Sequence, residues 1–302
     1  MAQDREIAIV DRLARRFKTK DPGVVVGIGD DAAVLRRDKK SYWLLTADML
    51  VESVHFATRE NRQRVGYKAV AVSVSDIAAM GGLPKYALIS VGVPPRQAGR
   101  TVAQLAKGFA RASRMFGIAV IGGDTNRSGR LVLDVTVVGA VERRHLVLRS
   151  GGRDKDILFV SGPLGGSRAR RHLSFVPRLE AARFLVKHFK VNAMMDLSDG
   201  LAKDLGRMAR ASHLGAVLDA KSIPVHRHAR GIDAALYDGE DFELLASLSE
   251  AEGERLLSRV RLKKTPLRFY PVGRLTRRVR GVWLSDRHGR RRRLGSGGFA
   301  HF

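Results

Sequence analysis

Cysteine is absent from the chain, which removes disulfides, thiolate zinc sites, iron–sulfur ligation and a cysteine nucleophile at once. Any metal site must then be built from oxygen or imidazole, and an oxygen-rich one suits magnesium, calcium or manganese. Long apolar runs are missing too: no stretch approaches the roughly 18 residues of a transmembrane helix, so no membrane partner is expected. The opening residues, MAQDREIAIV, carry acids where a secretory signal needs a basic region, and the expected location is the cytoplasm. Aromatics are few, at 6%, and acids are scarce, 30 against 55 Lys and Arg, for a net charge of +25. So basic a chain raises nucleic acid as a partner. The GxxxxGK[ST] loop and the catalytic-loop string of protein kinases are also absent, which excludes Walker-type and protein-kinase-like enzymes.

What is present is a globular composition, 44% hydrophobic over 302 residues, long enough for two domains with separate cores. Apolar residues at helical spacing predict helices over 4–17, 63–80, 97–116, 178–190 and 199–211. Between them, strands are expected at 24–29, 42–48, 86–93, 118–123, 131–141 and 193–196. This alternation predicts an α/β or α+β protein. The charged, glycine-bearing block from Arg149 to Lys155 marks a boundary, giving domains 1–148 and 149–302.

The charge is unevenly spread. Between Arg255 and Arg293 fifteen Lys or Arg face one acid, Asp286, and most such runs are solvated faces. The acids gather in short strings: Gly27-Ile28-Gly29-Asp30-Asp31, Thr46-Ala47-Asp48, Asp76, Gly122-Gly123-Asp124-Thr125, Asp196-Leu197-Ser198-Asp199-Gly200 and Gly239-Glu240-Asp241-Phe242-Glu243. Singly, several of these read as turns or helix caps. Asp76 does not, because the helix around it is small and apolar and offers no base at i±3 or i±4. Four of the strings are expected to close strands. Carboxylates gathered without bases repel, and their complement is a set of hard cations; magnesium with phosphates points to nucleotide chemistry.

In this order, the strings resemble those of the thiamine-monophosphate kinase family, which shares an ATP-dependent superfamily with aminoimidazole ribonucleotide synthetase and selenophosphate synthetase. The resemblance spans nearly the whole chain and is most specific over GYKAVAVSVSDIAAMGGLPKYALISVGVP (66–94), with GIGDDAAVL, TADMLVESVHF, IGGDT, DLSDGL, GEDFELL and the closing GGFAHF in support. It implies a two-domain aminoimidazole ribonucleotide synthetase-like fold: an N-terminal α/β domain forming a dimeric barrel with its twin, and a C-terminal α/β domain. The N-terminal domain would carry dimerisation and the ATP and metal sites, with ATP and several magnesium ions lying between the domains. By the same resemblance, Asp31 (rather than Asp30), Thr46, Asp48, Asp76, Asp124, Asp196 and Asp199 match magnesium positions. Gly123, Asp124, Arg149 and Ser198 match ATP contacts, and His55 and Glu240 match positions holding thiamine monophosphate. The implied reaction moves the γ-phosphoryl of ATP onto thiamine monophosphate without an obligatory general base, in a homodimer.

The chain departs from the family pattern at three places. Ala47 replaces a hydroxyl, the segment between Gly166 and Arg171 is shorter than in relatives by about a helix, and Ser296 falls where relatives carry an aromatic, with Phe299 close by. The alternatives are a superfamily enzyme acting on another phosphate or small molecule, and a nucleic-acid-binding protein.

Overall fold

A computed structural model describes residues 2–96, 98–169, 171–262, 264–295 and 297–298. Ser296 and Phe299, at the third departure, lie outside the described residues. The chain opens with helix α1 (Ala2–Arg16) and then builds a six-stranded sheet in the order β1-β2-β3-β6-β4-β5. Its strands are β1 (Val24–Val26), β2 (Ala33–Arg36), β3 (Ser41–Val51), β4 (Leu83–Val93), β5 (Ala119–Arg127) and β6 (Val132–Glu142), paired antiparallel except β4 with β5.

Helices α2 (Arg62–Ala79) and α3 (Ala98–Phe116) close the first core over this sheet. The side chain of Asn61 caps α2 by accepting from the Gln63 and Arg64 N–H groups at 2.9 and 3.2 Å. Gly81, with φ of +75°, and Gly82 end it. Its interior is buried almost throughout and built mainly of Ala, Val and Ser, with Gly66 among them. Those small residues let α3 approach backbone to backbone: a Cβ on Gly108 would lie 2.1 Å from the Gln63 carbonyl oxygen.

A second sheet follows, in the order β13-β12-β9-β11-β7-β10-β8. It comprises β7 (Ile157–Val160), β8 (Val191–Asp196), β9 (Gly215–Asp219), β10 (Leu244–Leu248), β11 (Tyr270–Thr276), β12 (Val282–Ser285) and β13 (Arg291–Arg293). Helices α5 (Leu201–Ala211) and α6 (Ile232–Tyr237) pack on one face with Met195 and Leu245, and α4 (Leu179–His188) and α7 (Glu250–Arg261) on the other with Met194 and Leu244. Adjacent strand residues thus serve opposite cores, as the pleat requires. Ala78 and Ala79 of α2 join the second of these clusters, so one buried helix touches both halves of the molecule.

Two expectations need correction. Asp48 does not close its strand, because β3 continues to Val51 and stays in register with β6 as far as Val132. Asp124 likewise lies within β5, which runs on to Arg127 against β4. Glycine and aspartate there signal no turn. A Cβ on Gly123 would lie 1.8 Å from the Ile89 carbonyl oxygen, so glycine is needed for close strand approach. The segment after Gly166 runs through two 3-10 turns, Ser167–Ala169 and Arg171–Leu173, before α4 begins.

Candidate active site

Four elements deliver carboxylates to one place. Asp31 follows the Gly27–Asp30 turn, Asp48 lies on β3, Asp76 on α2, and Asp196 ends β8 in the second sheet. Carboxylate oxygens of Asp31, Asp76 and Asp196 lie within 4.8 Å of one another. Thr46 and Asp48 project from the same face of β3 by its two-residue period. The Thr46 hydroxyl donates to Asp76 Oδ2 at 2.5 Å. Two serines of α2 hold the flanking acids: Ser73 Oγ donates to Asp48 at 2.7 Å and Ser75 Oγ to Asp196 at 2.6 Å.

Burial, and then the charges of Asp48, Asp196 and Asp31, push the Asp76 carboxyl well above the usual range. Burial followed by Asp31 does the same to Asp196, and burial raises Asp48. Oδ2 of Asp31 is buried without a hydrogen-bond partner among the described residues. The Arg149 guanidinium pairs with Asp31 Oδ1, while its backbone N–H faces both oxygens of Asp30 at 3.1 and 3.2 Å. Asp31 therefore faces the cluster, and Asp30 is tied to the Arg149 backbone and pushed up to about 6 by burial and by Asp31. A cleft of about 660 Å³ opens here, bordered by Asp31, Thr46, Arg149 and Arg207.

The other sequence-marked residues sit differently. Asp199 precedes α5 and pairs with Lys203 at 2.9 Å and Arg207 at 2.6 Å. Asp204, pushed up to about 7 by burial and by Asp199, accepts from the N–H groups of Asp199 and Gly200. Ser198 contributes its carbonyl, which accepts from the Glu240 N–H at 2.6 Å. Gly123 and Asp124 lie on the exposed edge strand β5, where Asp124 accepts from the Thr125 N–H and the Asn126 amide. His55 and Glu240 meet through a residue that sequence reasoning missed. Lys68 Nζ donates to the His55 carbonyl at 2.9 Å and pairs with Glu240 Oε1.

A second missed group stands behind the Glu240 loop. Glu243 is buried against Arg171, Arg178 and the Ser161 hydroxyl. Burial opposes its charge, but the guanidinium groups of Arg178 and Arg171 outweigh it and hold the carboxyl below the usual glutamate range. Asp241 accepts from the N–H groups of Gly165 and Gly166 at 2.7 and 3.2 Å. Arg171, in the second 3-10 turn, and Arg178, just before α4, thus hold the Gly239–Glu243 string. A larger cavity, about 990 Å³, lies between α5 and residues 277–282, lined by Lys203, Arg210, His213, Arg277, Arg280 and Arg293. Among the described residues no carboxylate lines it, so it is a place apart from the convergent acids.

Residues 29–141 match the family described as AIR synthase related protein, N-terminal domain, and residues 134–283 match its C-terminal domain. Fold and site thus define a two-domain protein of the AIR synthase related class. Thiamine-monophosphate kinase of Bacillus subtilis (strain 168) is 36% identical over 262 residues, covering 77% of this chain and 80% of that protein. The Rhodopirellula baltica enzyme of the same name is also 36% identical, over 76% and 78% of the two chains. Among solved structures, AaThiL complexed with AMPPCP and TMP superposes with a TM-score of 0.85 at 30% identity, covering 98% of this chain and 97% of that one. The chain belongs to the thiamine-monophosphate kinase family.

Proposed function

We propose that this protein transfers the γ-phosphoryl group of ATP to the phosphate of thiamine monophosphate, giving thiamine diphosphate and ADP. The observation that carries this reading is the convergence of Asp31, Asp76 and Asp196 from both halves of the chain, with one buried carboxylate oxygen left unpartnered. Family membership supplies the substrate class. Phosphoryl transfer asks mainly for positioning and charge neutralisation. The attacking phosphate oxygen is largely deprotonated near neutral pH, so no side chain has to act as a base.

The cluster is all oxygen, partly buried and short of cations, which suits magnesium. Asp31, Asp48, Asp76 and Asp196, with Thr46, would hold several such ions. When bound, they would offset the repulsion between the two phosphates. Arg149 would exchange Asp31 for the nucleotide phosphates, its guanidinium matching phosphate geometry. Gly123, Asp124 and Ser198 complete the ATP contacts in this reading, with Asp124 and Asp199 as further metal ligands. His55 and Glu240 hold thiamine monophosphate.

A homodimer belongs to the same reading. Strands β3, β4 and β5 leave Met49, Tyr86, Leu88, Val120 and Ile121 exposed, a run of large apolar side chains on the sheet that a second copy of the chain would cover. The division into 1–148 and 149–302 is supported by Leu148, which still packs on the first core, while β7 of the second sheet begins at Ile157. No helix among the described residues is long and apolar enough to cross a membrane, and we place the activity in the cytoplasm. The test is incubation with thiamine monophosphate, ATP and magnesium chloride, followed by separation of the thiamine esters. Thiamine diphosphate should accumulate with ADP in equal amounts. ATP binding without that product would overturn the substrate assignment and favour a superfamily enzyme acting on another acceptor.

A further inference from the structure

Lys68 is fully buried on α2, and its ammonium group reaches no solvent. A lysine in such a place keeps its charge against a desolvation cost, and burial does depress its basicity. A methionine of similar length would fill the helix–sheet interface without that cost, so packing alone does not explain the residue. Its bonds do. Nζ donates to the His55 carbonyl, in the loop after β3, and pairs with Glu240, in the loop before β10. One ammonium group thereby joins the two segments assigned above to the thiamine-phosphate end of the site.

The Glu240 loop needs such an anchor. Glu240 and Phe242 both adopt left-handed backbone, with φ of +54° and +50°, which non-glycine residues occupy only when their surroundings impose it. The Glu240 N–H donates to the Ser198 carbonyl at 2.6 Å, the Phe242 N–H donates to the Leu197 carbonyl at 2.8 Å, and the Phe242 ring stacks on Phe175 at 4.1 Å. These contacts fix the backbone. Among the described residues, only Lys68 takes hold of the Glu240 carboxylate. It uses Oε1, while the side chain as a whole remains 22% exposed.

Lys68 also stands eight residues before Asp76 on the same helix, about 12 Å along its axis. The helix that delivers a carboxylate to the phosphoryl-transfer cluster therefore also sets the position of the substrate-facing glutamate.

We propose that Lys68 is a positioning residue for the acceptor substrate: without touching thiamine monophosphate, it orients the Glu240 carboxylate so that the remaining oxygen meets the ligand. The proposal rests on the assignment of Glu240 as a substrate contact under Proposed function. Its test is steady-state kinetics of Lys68→Met, Glu240→Gln and the double variant, each with a thermal melt. Each single change should raise the KM for thiamine monophosphate about tenfold, as expected for a lost bond to a charged group. The kcat and the KM for ATP should stay within about threefold. The double variant should be no worse than the poorer single one, because both changes remove the same oriented carboxylate.

If Glu240→Gln raises that KM while Lys68→Met lowers only the melting temperature, Lys68 is structural and the proposal is overturned. Multiplicative losses in the double variant would overturn it as well. If Glu240→Gln leaves the KM unchanged, the substrate assignment itself fails and the proposal falls with it, a result distinct from the first. Should Lys68→Met not fold, Lys68→Gln, which keeps a donor for His55 but no charge, takes its place in the same comparison with the same expected result.

Discussion

Asp76→Asn should move activity and stability in opposite directions. Asp76 faces Asp31 and Asp196 with carboxylate oxygens within 4.8 Å, and Asp48 lies beside it. Two unit charges at that separation repel by about 3.5 kcal/mol at an effective dielectric near 20. The raised carboxyls of Asp76 and Asp196 already quench part of this by holding protons. The gain from neutralising Asp76 in metal-free protein is therefore about 1–3 kcal/mol, or roughly 2–5 °C in melting temperature for a chain of this size. Asparagine can still accept the Thr46 hydroxyl, so the fold should survive.

The sign with pH follows from the direction of the shift. A carboxyl raised on folding takes stability away as pH climbs from its unfolded value through its folded one, because the native state binds the proton more tightly there. The variant lacks that loss, so its advantage over the wild type should grow with pH and vanish below about pH 4. Magnesium should reverse the order. The wild type gains stability by mass action when a ligand binds only the folded state, and the variant should gain far less. Its kcat should fall by at least about 10²–10³-fold, the scale for removing one preorganised charge-stabilising group. Calorimetry in chelator and in magnesium chloride, beside the product assay, reads every arm. A variant that melts below the wild type in chelator, or that keeps its turnover, refutes the account of the cluster.

Three further changes probe the frame. Glu243→Gln leaves the Arg171 and Arg178 guanidinium groups without their shared carboxylate and should cost about 3 kcal/mol in urea unfolding. Because the native carboxyl is depressed, wild-type stability should fall as pH drops below the ordinary glutamate value of 4.5, and the variant should lose that dependence. Gly108→Ala places a methyl group 2.1 Å from the Gln63 carbonyl and should destabilise by about 1–3 kcal/mol or more, with kcat falling in protein that is still fully folded. Ile121→Asp, at a position 61% exposed on β5, should leave the melting temperature of the monomer nearly unchanged and halve the mass seen by light scattering.

Much of the frame was legible because the signals were local. The helix expected at 63–80 forms over Arg62–Ala79, since its Asn61 cap and Gly81-Gly82 stop are encoded beside it. Asp76 could be singled out because it sits without a base in its own helix, whereas Asp31, Asp48 and Asp196 stood out only as a set of acidic strings that the family resemblance tied together. The ends of β3 and β5 were missed because glycine and aspartate read as turn formers, although Gly123 serves cross-strand approach and β3 is continued by its pairing with β6. Lys68 was hidden because a single lysine in GYKAVAVSVSD resembles an exposed helical position. Its partner Glu240 lies 172 residues away. The Arg171–Arg178–Glu243 group was hidden for the same reason, with 72 and 65 residues between its partners. The arginine run proved more ordinary: Arg291, Arg292 and Arg293 form an exposed edge strand, as expected of a solvated face.

The overall charge of +25 and the anionic centre are reconciled by geometry rather than by composition. The bases lie mainly on the outside, where water and salt screen them, while four carboxylates are held together where screening is weak. That arrangement needs a rigid scaffold, and α2 is the part that provides it. Lys68, Ser73, Ser75 and Asp76 fall within an arc of about 160° at 3.6 residues per turn. From that arc they reach the Glu240 loop, Asp48, Asp196 and Thr46 respectively. Most of the remaining buried residues of the helix are alanine and valine, packed tightly enough to resist the repulsion it gathers. Small residues on α2 and Gly108 on α3 are thus part of the chemistry. They let one helix sit deep enough to touch both halves of the chain, and any change that unseats it shifts the acid cluster and the Glu240 loop together.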